Sequence, residues 1–346
     1  MDSITHIVTG ACIGEAMLGR KIGRRAMLWG ALAQSAPDID FVAGLWMELP
    51  RELLAHRGFT HSFLFAGMMT IGLALAAERI HRPHNISLKR FMGFFLIEIG
   101  VHLFLDAFNN YGVGWFEPFS DHRISFHTIY VADPLFTIVP IIAFLRLLQR
   151  RGSFALRRQW AMAGIIAPAV YLVYAVTNKL SIDLKVRSMA EKQGITHGRY
   201  FTTPAPLNSW LWFVVMEQQD GFLIGYRSVF DGNQPLQLTF FPRNESLLAP
   251  VRDHEEVMQL KKFSQGYYTV EQQADTLVFN DLRFGQMIGW KQPRAGFVFH
   301  YHLTHPEDNE LVVQRGRFAG WGPETPGDIW RRIRGLSLPS GRGQSR

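Results

Sequence analysis

The chain has 346 residues, 36 Lys plus Arg against 29 Asp plus Glu, and a mean hydropathy near zero. Cys12 is its one cysteine, which excludes an internal disulfide and a thiolate metal cage, so any ion must be held by nitrogen and oxygen. The net charge of +7 admits nucleic acid or an anionic membrane as partner, but the basic residues stand beside apolar runs and not in a stripe of their own. A bilayer is therefore expected as partner, and nucleic acid is not.

The averaged hydropathy conceals two unlike halves. Ala26–Trp46, Phe91–Phe108 and Trp160–Asn178 approach the roughly 20 apolar residues that a membrane helix needs, while Ile7–Gly19, Ser62–Ala77 and Leu135–Leu145 are shorter. The first run is not expected to be a cleaved secretory signal, because Glu15 interrupts it and Arg20-Lys21 follows it. Basic residues alternate in density between runs. Arg20, Lys21, Arg24 and Arg25, then Arg79, Arg82, Lys89 and Arg90, then Arg146, Arg150, Arg151, Arg157 and Arg158 fill alternate connections, whereas the intervening ones hold Arg51, Arg57 and Arg123. By the positive-inside rule the richer loops are cytoplasmic. The expectation is an α-helical bundle of about five spans plus a short N-terminal helix, over residues 1–178.

From residue 179 the pattern changes. Trp210–Met216, Phe222–Phe230, Leu236–Phe241, Thr276–Phe279, Gly296–Leu303 and Glu310–Phe318 read as short strands, with Asp220-Gly221 and Asp231-Gly232-Asn233 as turns. Asp253–Phe263 and Asp328–Arg334 read as helices. A β-rich α+β domain is expected over 179–339, on the non-cytoplasmic side, with a disordered tail over 340–346. His300, His302 and His305 read as ordinary sheet and loop histidines.

Ionisable groups within apolar spans cost roughly 2.5–3.5 kcal/mol each on insertion scales, so they need partners or a function. His6 lies at the mouth of the first run. Asp38 and Asp40 follow Pro37 in an otherwise uncharged stretch, which suggests a broken helix lining a polar cavity. His56 and His61 flank Gly58, a turn that can feed two imidazoles into one pocket. Glu98, His102 and Asp106 recur every four residues and share one helix face. The loop charges place these groups near the outer ends of their segments. Mixed imidazole and carboxylate donors suit Zn²⁺, with Mn²⁺ or Fe²⁺ as alternatives, and seven candidates (His6, Asp38, Asp40, His56, His61, His102 and Asp106) allow one to three ions. Glu98 is expected to support His102 from behind.

These motifs, with the opening Met1-Asp2-Ser3-Ile4-Thr5-His6, the stretch His56-Arg57-Gly58-x-Thr60-His61-Ser62 and Pro118-Phe119-Ser120-x-x-Arg123, resemble the YdjM-like inner-membrane proteins of bacteria. The resemblance covers residues 1–140 and implies a multi-pass inner-membrane location and metal-dependent hydrolase activity. The family is in turn distantly similar to zinc-dependent phospholipase C, which implies His6, Asp38, Asp40, His61, His102 and Asp106 as ligands. The late His-x-x-x-Glu pair of those enzymes has no counterpart, since His127 and Asp133 are spaced differently.

The expected activity is hydrolysis of a phosphoester or lipid-linked substrate, with Asp38 or Asp40 orienting or deprotonating a water and Arg57 and Arg123 clamping an anionic group. A proton or ion pathway, a transporter, and a scaffold with a structural metal use the same residue types and stay open as alternatives.

Overall fold

The computed structural model describes residues 1–149, 153–251, 254–273, 275–303, 309 and 318–336. Contacts divide the chain into two units, Met1–Ala175 and Val176–Arg346. The expected strand Glu310–Phe318 (apart from Phe318), His305 and the tail 340–346 lie outside the described residues.

Helix α1 (Ser3–Ile22) starts where the Asp2 carboxylate accepts the Thr5 amide at 3.0 Å, which satisfies one orphan donor of the first turn. It ends at Gly23, whose positive φ of 60° is cheap only without a side chain. Helix α2 (Arg25–Ser35) packs closely on α1: a Cβ on Gly30 would run into the Gly10 carbonyl oxygen, and one on Gly14 into that of Ala26. Pro37 then ends the α-helical pattern, and Pro37–Leu45 forms a 3-10 segment. Helix α3 (Leu49–Ala55) and a 3-10 turn (Phe59–His61) lead to α4 (Phe63–Ile80), capped by the Ser62 hydroxyl accepting from the Phe65 amide at 3.1 Å. Helices α5 (Leu88–Asp106), α6 (Pro134–Gln149) and α7 (Phe154–Lys192) complete the helical region.

The expectation of about five apolar spans is not met. Among the described residues two helices, α4 and α7, are long and apolar enough to cross a membrane, with α6 a shorter apolar helix. The reason is local: Pro37 cuts the second run so that α2 has only 11 residues, Glu15, Arg20 and Lys21 interrupt α1, and α5 carries Lys89, Arg90, Glu98 and Asp106. In both qualifying spans only 22% of the apolar window is buried.

The unit boundary falls inside α7. Beyond it Ile182, Val186 and Ala190 pack with Trp212, Val214 and Met216 of β2 (Leu211–Gln218), while the alternate residues Phe213 and Val215 join Phe222, Ile224 and Tyr226 of β3 (Gly221–Ser228) in a second cluster. With β1 (Tyr200–Pro204) and β4 (Leu238–Pro242) these make an antiparallel sheet in the order β1-β2-β3-β4. Strands β5 (Tyr268–Gln273), β6 (Thr276–Gln286) and β7 (Phe297–His302) make a second one, and α8 (His254–Phe263) and α9 (Thr325–Ile333) are the helices of this region. A helical N-terminal region is thus followed by a β-rich C-terminal part. Strands β1 and β5 escape the sequence pattern because one is short and ends in Pro204, and the other turns polar at Glu271-Gln272-Gln273.

The close approach of α1 and α2 makes a specific prediction. Gly30→Val should destabilise the detergent-purified protein by about 1–3 kcal/mol through overpacking, read as a lower Tm. Gly67→Ala, where a Cβ meets nothing within 4 Å, should be neutral or slightly stabilising. A Gly30→Val protein as stable as the parent would contradict the crossing.

Candidate metal centre

Two breaks in helical structure and two helices bring the site together. Pro37 frees the backbone that carries Asp38 and Asp40. The turn before α4, entered through Arg57 at a φ of 58°, turns His61 inward, and the Ser62 cap fixes it there. Helix α5 presents Glu98, His102 and Asp106, all fully buried. His6 comes from the start of α1.

Asp38, His61, His102 and Asp106 each offer a donor atom within 4.8 Å of the other three. His61 Nε2 lies 3.1 Å from His102 Nε2, 3.3 Å from Asp106 Oδ2 and 3.5 Å from Asp38 Oδ1. His102 Nε2 lies 3.5 Å from Asp106 Oδ2 and 3.6 Å from Asp38 Oδ1. A tetrahedral ion with bonds of about 2.0–2.1 Å would have donor–donor edges of about 3.3–3.4 Å. The five separations scatter around that value.

The hydrogen bonds behind the rings decide what faces the centre. His102 Nδ1 donates to the Gln34 carbonyl oxygen at 2.6 Å, so the neutral ring has a bare Nε2. His61 Nδ1 donates to Thr60 Oγ1 at 3.1 Å, and Thr60 donates onward to Asp40 Oδ2 at 3.2 Å. Its Nε2 is bare as well. Burial brings the His61 pKa down to about 4, which keeps that lone pair available. Asp106 Oδ2 completes no hydrogen bond although it is fully buried, with Arg57 Nε 3.2 Å away. Two imidazole lone pairs and two carboxylate oxygens thus converge, and the donor set fits a divalent cation.

The other sequence candidates surround these four. His6 Nε2 lies 3.0 Å from the second oxygen of Asp106, which also meets the Met1 amino group. Asp40 is not among the four atoms. It braces the turn instead, accepting the Arg57 amide at 2.7 Å and facing His56 Nδ1 at 3.3 Å. Burial pushes the Asp40 pKa up, but the His56 contact, the nearby imidazoles and the Arg57 amide bring it below its ordinary value. Glu98 does not support His102 as expected, since the His102 Nδ1 is bonded to Gln34. The two loop arginines face inward: Arg57 donates to Asn109 Oδ1 at 2.6 Å and to the Met1 carbonyl at 3.0 Å, and Arg123 donates to the carbonyls of Leu54 and His56. They brace the site, and neither is an open anion clamp. Gln34, Thr60 and Asn109 escaped the sequence reading. The one available signal was that Gln34 is an amide inside an apolar run.

These features define a helical membrane protein with a buried His/Asp cluster able to hold a cation, and the comparisons narrow that class. The family described as "YdjM inner membrane protein" matches residues 1–182. The chain is 30% identical over 335 residues to the uncharacterized protein YfhP of Bacillus subtilis, covering 93% of this chain and 95% of that one. It is also 30% identical over 122 residues to the inner membrane protein YbcI of Escherichia coli, covering 35% of this chain and 69% of YbcI. No solved structure matches. The chain belongs to the YdjM family of inner membrane proteins, and its location is the inner membrane.

If the four atoms share an ion, the full-length protein purified in detergent should carry about one tightly held zinc, which needs all-neutral imidazoles and charged carboxylates. His102→Ala and Asp106→Ala should each lower bound metal, measured by mass spectrometry of the eluted protein, at least tenfold. Unchanged metal content in both variants would remove the site.

Proposed function

We propose that this protein is a membrane-bound, metal-dependent hydrolase. The observation that carries this reading is the convergence of two bare imidazole nitrogens and two carboxylate oxygens at the edge lengths of a tetrahedron. Zn²⁺ is the favoured ion for such a mixed set, and Mn²⁺ or Fe²⁺ are the alternatives. A bound ion would supply Lewis acidity at a phosphoryl or carbonyl oxygen and would acidify a water toward neutral pH.

The chain's own residues do the rest. Asp38 is the donor that reaches solvent, with 21% of its side chain exposed against none for the other three. It is therefore placed to take a proton from an incoming water, and His61, His102 and Asp106 are the residues that would hold the ion. The Thr60–Asp40 relay keeps His61 in the tautomer that this requires. Arg57, next to Asp106, offsets the excess negative charge of the carboxylates.

Apolar side chains that face outward support a multi-pass arrangement even where a helix fails the length or hydropathy test. Met92, Leu96, Ile97 and Phe104 of α5, and Ile138, Ile142 and Leu145 of α6, are all exposed. With the alternation of loop charges, this favours a site at the non-cytoplasmic surface and a C-terminal domain on that side. A site beside the bilayer suits a phosphoester on a lipid or lipid-linked carrier.

A second reading has its own support. Four protein donors already complete a tetrahedron, as structural zinc sites do, whereas catalytic sites keep a position for water. Asp38→Asn separates the two. For a hydrolase, the variant should retain metal through the remaining donors and lose at least 100-fold in turnover of a phosphoester found by screening the wild type. For a structural site, it should lose metal and Tm together. A metal-loaded wild type that turns over no phosphoester in detergent or lipid would leave the structural reading standing.

A further inference from the structure

Gln34 is the residue on which the two imidazoles at the centre of the bundle converge. Its main-chain carbonyl accepts His102 Nδ1 at 2.6 Å, and its side-chain amide meets His6 Nδ1 at 3.1 Å. The two rings stack, with centroids 3.9 Å apart and planes 30° from parallel. Each ring thereby turns its Nε2 toward Asp106, His102 to Oδ2 and His6 to Oδ1. Gln34 is fully buried, and behind it the Glu98 carboxyl lies next to its amide. Neither the amide nitrogen nor either Glu98 oxygen completes a hydrogen bond. Asp106 Oδ1 can only accept, so His6 Nε2 carries the ring's hydrogen and donates to it, which leaves His6 Nδ1 to accept from the NH₂ end of the Gln34 amide. A carboxylic acid on the other side can donate to the oxygen end and so hold the amide in that sense.

We infer that Gln34 is a positioning residue for the metal centre: through its side chain it fixes the orientation and tautomer of His6, and through His6 the carboxylate of Asp106, with Glu98 setting which way the amide faces. This rests on the metal reading above. Partners that orient ligands from behind change metal affinity by about 10–100-fold when removed. The side chain and the main-chain carbonyl act separately, so a side-chain substitution leaves the His102 bond in place and isolates the His6 arm.

The test is a double-mutant cycle in the full-length detergent-purified protein, with Zn²⁺ affinity measured by chelator competition and the Co²⁺-substituted absorption spectrum as a second readout. Gln34→Met keeps the length and removes the N–H donor. It should weaken Zn²⁺ binding at least tenfold and shift the Co²⁺ spectrum. Gln34→Glu keeps the size but offers His6 Nδ1 no N–H, and should weaken binding about as much as Gln34→Met. In a His6→Gln background, Gln34→Met should have less than a twofold further effect, because the arm it acts through is gone. A Gln34→Met protein that binds within twofold of wild type with an unchanged spectrum overturns the inference and leaves the metal site intact. The same tenfold loss with and without His6 also overturns it, since Gln34 would then act only through packing. A wild type that takes up no Zn²⁺ overturns the metal reading itself.

Discussion

Four electron-rich atoms held within 4.8 Å of one another in a nearly closed space demand a positive charge at their centre. Burying an unpaired carboxylate is expensive, and two bare imidazole nitrogens facing each other add repulsion in place of relief. The rest of the helical region can be understood as what keeps that arrangement from relaxing. Pro37 prevents the Asp38 segment from continuing as helix, the Ser62 cap prevents His61 from swinging out, and α5 carries two donors one turn apart that cannot separate. The glycine contacts between α1 and α2 bring Gln34 and His6 close enough to brace the rings from behind.

The surrounding hydrogen bonds share a direction. Thr60 and Asp40 stand behind His61, the Gln34 carbonyl behind His102, and the Gln34 amide behind His6. The first two leave an Nε2 lone pair aimed inward, the third leaves His6 Nε2 to donate to Asp106, and none needs a charged imidazole. A bundle that merely satisfied buried histidines would pair each ring nitrogen with a donor or an acceptor of its own. Here the inward nitrogens meet only one another and carboxylate oxygens. Arg57, buried beside Asp106, lowers the electrostatic cost of the acidic pair without occupying the centre.

How much of this could be read from the chain depends on whether the relation was local. The i, i+4 spacing of His102 and Asp106 sets them on one helix face, and Pro37 marks the break at Asp38. Both are visible in a dozen residues. The roles of Arg57 and Arg123 were not, because an arginine in a loop looks alike whether it faces solvent or caps carbonyls 67 and 69 residues away. Gln34 was invisible for a similar reason: one of its two bonds is made by the main chain, which carries no residue identity. The apolar runs overstated the number of spans, since a run counts hydrophobic residues without seeing the proline or the charged residues that shorten the helix within it. In the C-terminal part, short apolar runs bounded by turns revealed β2 and β3, whose two faces are both buried by apolar neighbours, and missed β5, where one end is polar.

The central claim is that His61, His102, Asp38 and Asp106 share one cation. X-ray absorption at the zinc edge of the full-length protein tests it most directly. The account predicts a first shell of four nitrogen and oxygen neighbours near 2.0 Å, with outer-shell scattering from two imidazole rings and no sulfur. A first shell without imidazole scattering, or a protein that holds no metal after purification and zinc reconstitution, would contradict it.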